Sequence, residues 1–267
     1  MTTRPDYYSI KALSNSSLKN FSEYSPKKAL YLMQNGIKET KALIEGRMVH
    51  KAVLEPETFF DEFHFLPEDF NGLTKAGKEQ KKELEASGKM ILTQDQKTLC
   101  DNICSRLLES KTAQKLLKGL PEVEFFGERD GIKLKSKVDL INPQQGFICD
   151  LKTTQNVAPE AFIKECEKRQ YFQQAWFYRY MANQSGHNIK NFYFVNIEKE
   201  PPFSVSIVQV SETQFEIGQQ MFEHNFALYK YALKNENRDF DQPQLGSKSF
   251  IYESPEWMEK KYLGNGE

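Results

Sequence analysis

The sequence predicts an α/β protein whose first third is helical. Apolar residues recur at helical spacing through most of the first 120 residues. Between Glu122 and Thr153 the period changes to two, the spacing of strands. Helical and strand-like segments then alternate as far as Leu233. At about 150 residues per domain, the chain of 267 residues is expected to form one domain: a mainly helical part over 1–120, an α/β core over 121–235, and a loop and C-terminal tail over 236–267.

Residues 13–34, LSNSSLKNFSEYSPKKALYLMQ, predict two short helices broken at Ser25-Pro26. Ser and Asn cap the first, and Pro26 opens the second, where its missing N–H costs nothing. A third helix should run from about Thr40 to Leu54 and stop before Pro56, because a residue preceding proline is pushed out of helical geometry. Leu73 to Met90, rich in Lys, Glu and Gly, predicts a solvated loop or a marginal surface helix. From Gln94 to Gly119 the period is helical, with Leu99, Ile103, Leu107, Leu108 and Leu116 as the apolar stripe.

Strands are expected next, with a turn at Asn142-Pro143-Gln144-Gln145-Gly146. In IKLKSKVDLI, Ile132, Leu134, Val138 and Leu140 fall on one face, and Lys133, Lys135, Lys137 and Asp139 on the other. If the turn is centred between Gln144 and Gln145, Val138 meets Leu151, Leu140 meets Cys149, Ile141 meets Ile148, and Asp139 faces Asp150. A helix from about Pro159 to Ala182, strands near Asn191–Ile197 and Phe203–Val210, and a helix from Glu212 to Leu233 complete the pattern.

The longest apolar runs fall far short of the roughly 20 residues of a membrane helix, and the N-terminal residues lack the apolar region of an export signal. A cytoplasmic protein with no membrane partner is expected. Four dispersed cysteines argue for reduced thiols, and no C-x-x-C or H-x-x-x-H arrangement groups ligands for zinc. There is no phosphate-cradling glycine loop and no Gly-x-Ser-x-Gly, so ATP use and serine hydrolysis are unsupported. Thirty-six Lys+Arg against 37 Asp+Glu give a net charge of −1, where nucleic-acid binders usually carry a basic excess. A site that gathers carboxylates around a metal would account for part of that balance.

Such a site is legible. Two aspartates opposed across a hairpin repel unless a cation lies between them, and a hard divalent ion with oxygen ligands is suited to the place. Lys152 shares the strand face of Asp150. Acid pair, lysine and metal together suit phosphodiester hydrolysis, with Lys152 positioning water or steadying developing charge. Acid-x-Lys occurs six times in the chain, but only the one at Asp150 follows an apolar strand and faces a second acid.

Asp139 and then Asp150-Leu151-Lys152 resemble the bipartite core of the PD-(D/E)XK nuclease superfamily. Leu13-Ser14-Asn15-Ser16-Ser17-Leu18-Lys19 with Ser25-Pro26, Glu45-Gly46-Arg47-Met48-Val49-His50 with Leu54-Glu55-Pro56, Asp150-Leu151-Lys152-Thr153-Thr154, and Gln174-Ala175-Trp176-Phe177-Tyr178 are similar, in order and spacing, to the RecE-type exonuclease VIII nucleases of phages and prophages. The resemblance spans about residues 10–235. It implies a restriction-endonuclease-like core, a mixed sheet flanked by helices. It also implies that His50, Asp139, Asp150 and the Leu151 carbonyl hold metal, that Lys152 is the catalytic lysine, and that Gln174 and Tyr178 lie beside the site and the DNA. Gly46, one turn before His50, would permit close packing. Glu122 fits the spacing of the upstream acid, and Glu124, on the same strand face, is the alternative. Relatives carry Arg-Pro before the central Asp, where this chain has Lys137-Val138.

The resemblance further implies Mg2+, two ions with Mn2+ able to substitute, and 5'-to-3' digestion of linear double-stranded DNA from its ends to leave 3' tails for recombination. It implies a ring or tetramer and a RecT-type single-strand annealing partner in a bacterial or phage-infected cell. The row Lys133, Lys135, Lys137 is either a guide for the phosphate backbone or a solvated strand face. The rivals to an exonuclease are a structure-specific or restriction-like endonuclease and a non-catalytic DNA-binding scaffold.

Overall fold

The structure, a computed structural model, describes residues 6–235; the tail expected over 236–267 lies outside them. Helices α1 (Asn15–Glu23), α2 (Pro26–Asn35) and α3 (Lys41–Leu54) start where the caps are written, with Ser14, Ser25 and Thr40 side chains each accepting a hydrogen bond from the backbone N–H three residues on. The short α4 (Phe59–Glu62) leads into β1 (Phe63–Phe65), which pairs in parallel with β2 (Met90–Leu92). Between them the Lys/Glu-rich stretch takes the second of its two expected forms, a surface helix, α5 (Lys75–Ala86), capped by Thr74 and exposed along most of its length.

Beyond β2 the predicted helix is two, α6 (Gln94–Glu109) and α7 (Lys111–Leu116). Ser110 takes an extended ψ of 100° and turns its side chain to cap α7. Leu108 does not join the apolar stripe; it is 68% exposed, because it stands about 100° around the helix from buried Leu107. The helix expected over 159–182 also divides, into α8 (Pro159–Lys168) and α9 (Tyr171–Gln184), at Gln170, whose φ of 57° is left-handed.

The central sheet is mixed and five-stranded: β3 (Leu120–Arg129), β4 (Ile132–Asn142), β5 (Phe147–Thr154), β6 (Asn191–Glu198) and β7 (Val205–Gln209), in that spatial order. Only β5 and β6 run parallel, joined by the α8–α9 crossover that parallel pairing requires. The last helix, α10 (Glu212–Lys234), opens on a Ser211/Gln214 capping box. Helices cover both faces. On one, α1, α9 and α10 bring Leu18, Phe177, Met181, Phe222 and Phe226 against Val138, Ile148 and Phe194. On the other, α3 and α6 bring Met48, Val49, Ile103 and Leu107 against Leu140, Cys149, Leu151 and Val195. Each such side chain contributes about 1.5–3 kcal/mol by leaving water. No described helix is long and apolar enough to cross a membrane.

Buried amides tie the helical layer together: Gln173 of α9 donates to Asn15 of α1 at 2.9 Å and accepts from Asn225 of α10 at 2.7 Å. Gly218 of α10 sits so near α9 that a Cβ there would lie 2.0 Å from the Phe172 carbonyl oxygen.

The predicted hairpin register holds at Leu140↔Cys149, Ile141↔Ile148 and Asn142↔Phe147, and then stops. Val138 does not pair with Leu151, nor Asp139 with Asp150. The Leu151 N–H instead donates to the Asp139 carboxylate at 2.9 Å. On the other side of β4 the ladder runs through Pro121↔Leu140 and Val123↔Val138 but omits the rung between Glu122 and Asp139, where Glu122 is left-handed with φ 53°. The alternation of faces breaks here. Leu134 and Val138 pack on one side of the sheet and Leu140 on the other. One local distortion of β4 against both neighbours therefore sets Asp139 and Glu122 apart from the regular pleat.

The lysine row is not a uniform surface. Lys135 is buried, its ammonium donating to the Tyr7 and Ile10 carbonyls at 2.9 and 2.8 Å, and Lys137 pairs with Glu122 at 2.6 Å. Lys133 alone of the three is exposed. A Lys135→Met variant should lose about 1–3 kcal/mol in urea unfolding, because the Ile10 carbonyl loses this donor and the Tyr7 carbonyl keeps only its 3.3 Å bond from the Ile10 N–H, and unchanged stability would show those bonds to be idle.

Candidate active site

Where β4 leaves β5, a cleft of about 1020 Å³ opens, lined by His50 of α3, Glu122 of β3, Asp139 of β4, Leu151 and Lys152 of β5, and Tyr178 of α9. One atom each from His50, Glu122 and Asp139 lie within 4.8 Å of one another. His50 Nδ1 stands 3.3 Å from Asp139 Oδ2. Glu122 and not Glu124 completes this cluster, its left-handed backbone placing it opposite Asp139.

Asp150 is outside the cluster. It is fully buried, accepts a hydrogen bond from Gln174 Nε2 at 2.8 Å and pairs with the Lys152 ammonium at 2.6 Å. Lys152 also donates to Gln174 Oε1 at 3.0 Å and lies 4.5 Å from the centre of the Tyr171 ring. Gln174 thus grips acid and lysine together, with Tyr178 one turn further along α9 and lining the cleft. The spacing of Gln174 and Tyr178 on one helix face is realised. Leu151 enters the site through its backbone N–H on Asp139.

These charges share a desolvated space. Burial alone would lower the His50 imidazole, yet the Asp139 carboxylate beside it, with Asp150 behind, pushes it up to about 9. Burial acts to raise Asp139, but His50, Lys152 and the Leu151 N–H outweigh it and hold that carboxyl below the usual range. Asp150 moves the other way, raised by burial and then by Asp139. For Lys152 the desolvation penalty is overcome by Asp150 and Tyr171, so it keeps its proton. Glu122 is raised by burial, with Lys137 partly offsetting.

An imidazole and two carboxylates converging from three elements form a donor set that fits a divalent cation. Without an ion, the three acids are each matched by a basic group, Glu122 by Lys137, Asp139 by His50 and Asp150 by Lys152, so a cation bound by His50, Glu122 and Asp139 would displace the His50 proton and loosen the Lys137 contact. A second ion at Asp139, Asp150 and Leu151 would require Asp150 to loosen its grip on Lys152 and Gln174.

Gly46 does not pack closely. Nothing lies within 4 Å of where its Cβ would be, and it opens onto the cleft above His50. Gly46→Ala should therefore raise stability by about 0.5–1 kcal/mol, the ordinary gain for Ala over Gly inside a helix; a lower urea midpoint would show a hidden clash. Two contributors escaped the sequence reading. Lys137 is bound to Glu122 rather than to solvent, and Tyr171, at i, i+3 and i+7 with Gln174 and Tyr178, shares their face.

Among solved structures, the chain is similar to a candidate exonuclease from Eubacterium rectale over 99% of both chains, at 18% identity with a TM-score of 0.65, a likeness of fold. It also matches a phage-related exonuclease from Haemophilus somnus 129PT over 82% of this chain and 95% of that one, at 11% identity and a TM-score of 0.36. No curated protein matches the sequence. The family described as the PDDEXK-like domain of unknown function (DUF3799) matches residues 14–241, and the chain belongs to it.

Proposed function

We propose that this protein is a divalent-metal-dependent exodeoxyribonuclease of the RecE type, degrading linear double-stranded DNA from its ends, 5' to 3', and leaving 3' single-stranded tails for recombination. The observation that carries the proposal is the meeting of His50, Glu122 and Asp139 beside the Asp150–Lys152–Gln174 network on the floor of one cleft. Mg2+ is the proposed ion, two per site, with Mn2+ able to substitute. Assembly into a ring or tetramer, a RecT-type annealing partner and a cytoplasmic setting rest on the resemblance to RecE-type nucleases.

When bound, the metal supplies Lewis acidity to the scissile phosphate and lowers the pKa of its water to give a nucleophile. His50, Glu122 and Asp139 are the residues that would hold it. Lys152, protonated and fixed from three sides, presents positive charge where the phosphate gains negative charge, acting as a cation rather than as a base. Gln174 holds the Lys152 ammonium in place, which lessens the reorganisation the lysine would otherwise need.

End-labelled linear duplex and covalently closed circular DNA test the proposal. With Mg2+, the linear form should lose its 5' label progressively while the circle stays intact, and EDTA should stop the reaction. Nicking of the circle would assign an endonuclease instead, and no metal-dependent cleavage of either would leave a DNA-binding scaffold.

A further inference from the structure

Most cations around the cleft are already committed. Arg47 pairs with Glu39, Lys137 with Glu122, Lys152 with Asp150, Arg169 with Glu165, and Lys199 with Glu45. Lys164 and Lys168 line the same cleft, are exposed, and have no anionic partner among the described residues. Both belong to α8, which leaves the end of the catalytic strand: Thr154, the last residue of β5, donates its hydroxyl to Glu165 at 2.8 Å and fixes the helix there. Phe162 and Cys166 bury the opposite face of α8. The two lysines, four residues apart, are stacked on the outward face about 6 Å apart along the axis. Their flexible stems can each meet a different phosphate. Of the acids of α8, Glu165 is occupied by Thr154 and Arg169, and Glu160 and Glu167 do not line the cleft.

Other parts of the lining differ in chemistry. Tyr8, Ile37 and Leu43 expose large apolar surfaces to the cleft, with Tyr8 75% exposed. The cations nearest to them, Arg47 and Lys137, are paired with Glu39 and Glu122, while Tyr8 offers a ring on which a base can stack and Ile37 and Leu43 add apolar surface.

We propose that Lys164 and Lys168 form a phosphate-binding track that holds the DNA backbone on the nucleotides next to the cleavage point, the bases lying toward Tyr8, Ile37 and Leu43. The track rests on the nuclease assignment of the cleft and adds residues to it. Two exposed lysines that neutralise phosphates release counterions, so their contribution must appear in the salt dependence of binding.

The test is the affinity of the full chain for fluorescein-labelled oligothymidylate and linear duplex, read by anisotropy in EDTA across a series of KCl concentrations. Lys164→Gln/Lys168→Gln should weaken binding about 10-fold at moderate salt and flatten the slope of log Kd against log[KCl] by about 1.5. Lys164→Arg/Lys168→Arg should restore both. The control Lys78→Gln/Lys82→Gln removes the same charge from α5, which does not line the cleft, and should change neither. An unchanged slope in the cleft variant, or an equal loss in the control, would overturn the track. Binding with the expected slopes but no cleavage with Mg2+ would refute the nuclease function and leave the track standing; cleavage with an unaltered slope would do the reverse.

Discussion

Lys152→Ala should lower turnover on linear duplex DNA by about 100- to 1000-fold, the usual cost of removing one preorganised donor to a developing anion. Its ammonium is the cation placed on Asp150 and Gln174, and it is nearly enclosed, so bulk water cannot replace it cheaply. Breaking a buried ion pair costs about 3–5 kcal/mol if the remaining charge stays ionised. Asp150 has an escape, because burial and Asp139 already raise its carboxyl to about 6, and proton uptake removes the stranded charge. The variant is therefore expected to stay folded, as judged by circular dichroism, while losing cleavage. A folded Lys152→Ala protein with undiminished Mg2+-dependent activity would remove the lysine from the mechanism.

Gly218→Ala should destabilise the fold by about 3 kcal/mol, at the upper end of the cost of overpacking. The added methyl would meet the Phe172 carbonyl oxygen at 2.0 Å and Trp176 Cβ at 3.1 Å, and backbone cannot move aside as a side-chain tip can. The strain falls on α9, which carries Gln174 and Tyr178, and on the Asn15–Gln173–Asn225 bridge that fixes α9 between α1 and α10. Urea unfolding measures the loss directly. Midpoints equal within error would mean that α9 and α10 separate more easily than their contact suggests.

Local signals placed the elements well. Ser14, Ser25-Pro26 and Thr40 mark three helix starts by side-chain chemistry that needs no tertiary context. The breaks at Ser110 and Gln170 were not legible, since a helical period continues in phase through a single residue that changes conformation. The turn register came from apolar pairing and holds for the three pairs nearest the turn. It fails at Asp139 because a period-two argument assumes a regular pleat. Here the Asp139 side chain takes the Leu151 N–H, and Glu122 crosses into left-handed geometry. The same distortion separates Glu122 from Glu124, which strand alternation could not do. The Asp139 carboxylate still raises Asp150, although as a neighbour where the two strands part and not as a rung of one ladder. Lys135 looked like its neighbours in the lysine row. Only the N-terminal segment crossing β4, invisible to local pattern, shows that it is an internal tie.

Mn2+ in a crystal, located by its anomalous scattering, tests the centre of this account. The metal should sit about 2.0–2.3 Å from one atom each of His50, Glu122 and Asp139, and an Asp139→Asn crystal should lack it. An ion held by other residues, or a site that stays empty in the wild type at saturating Mn2+, would contradict the assignment.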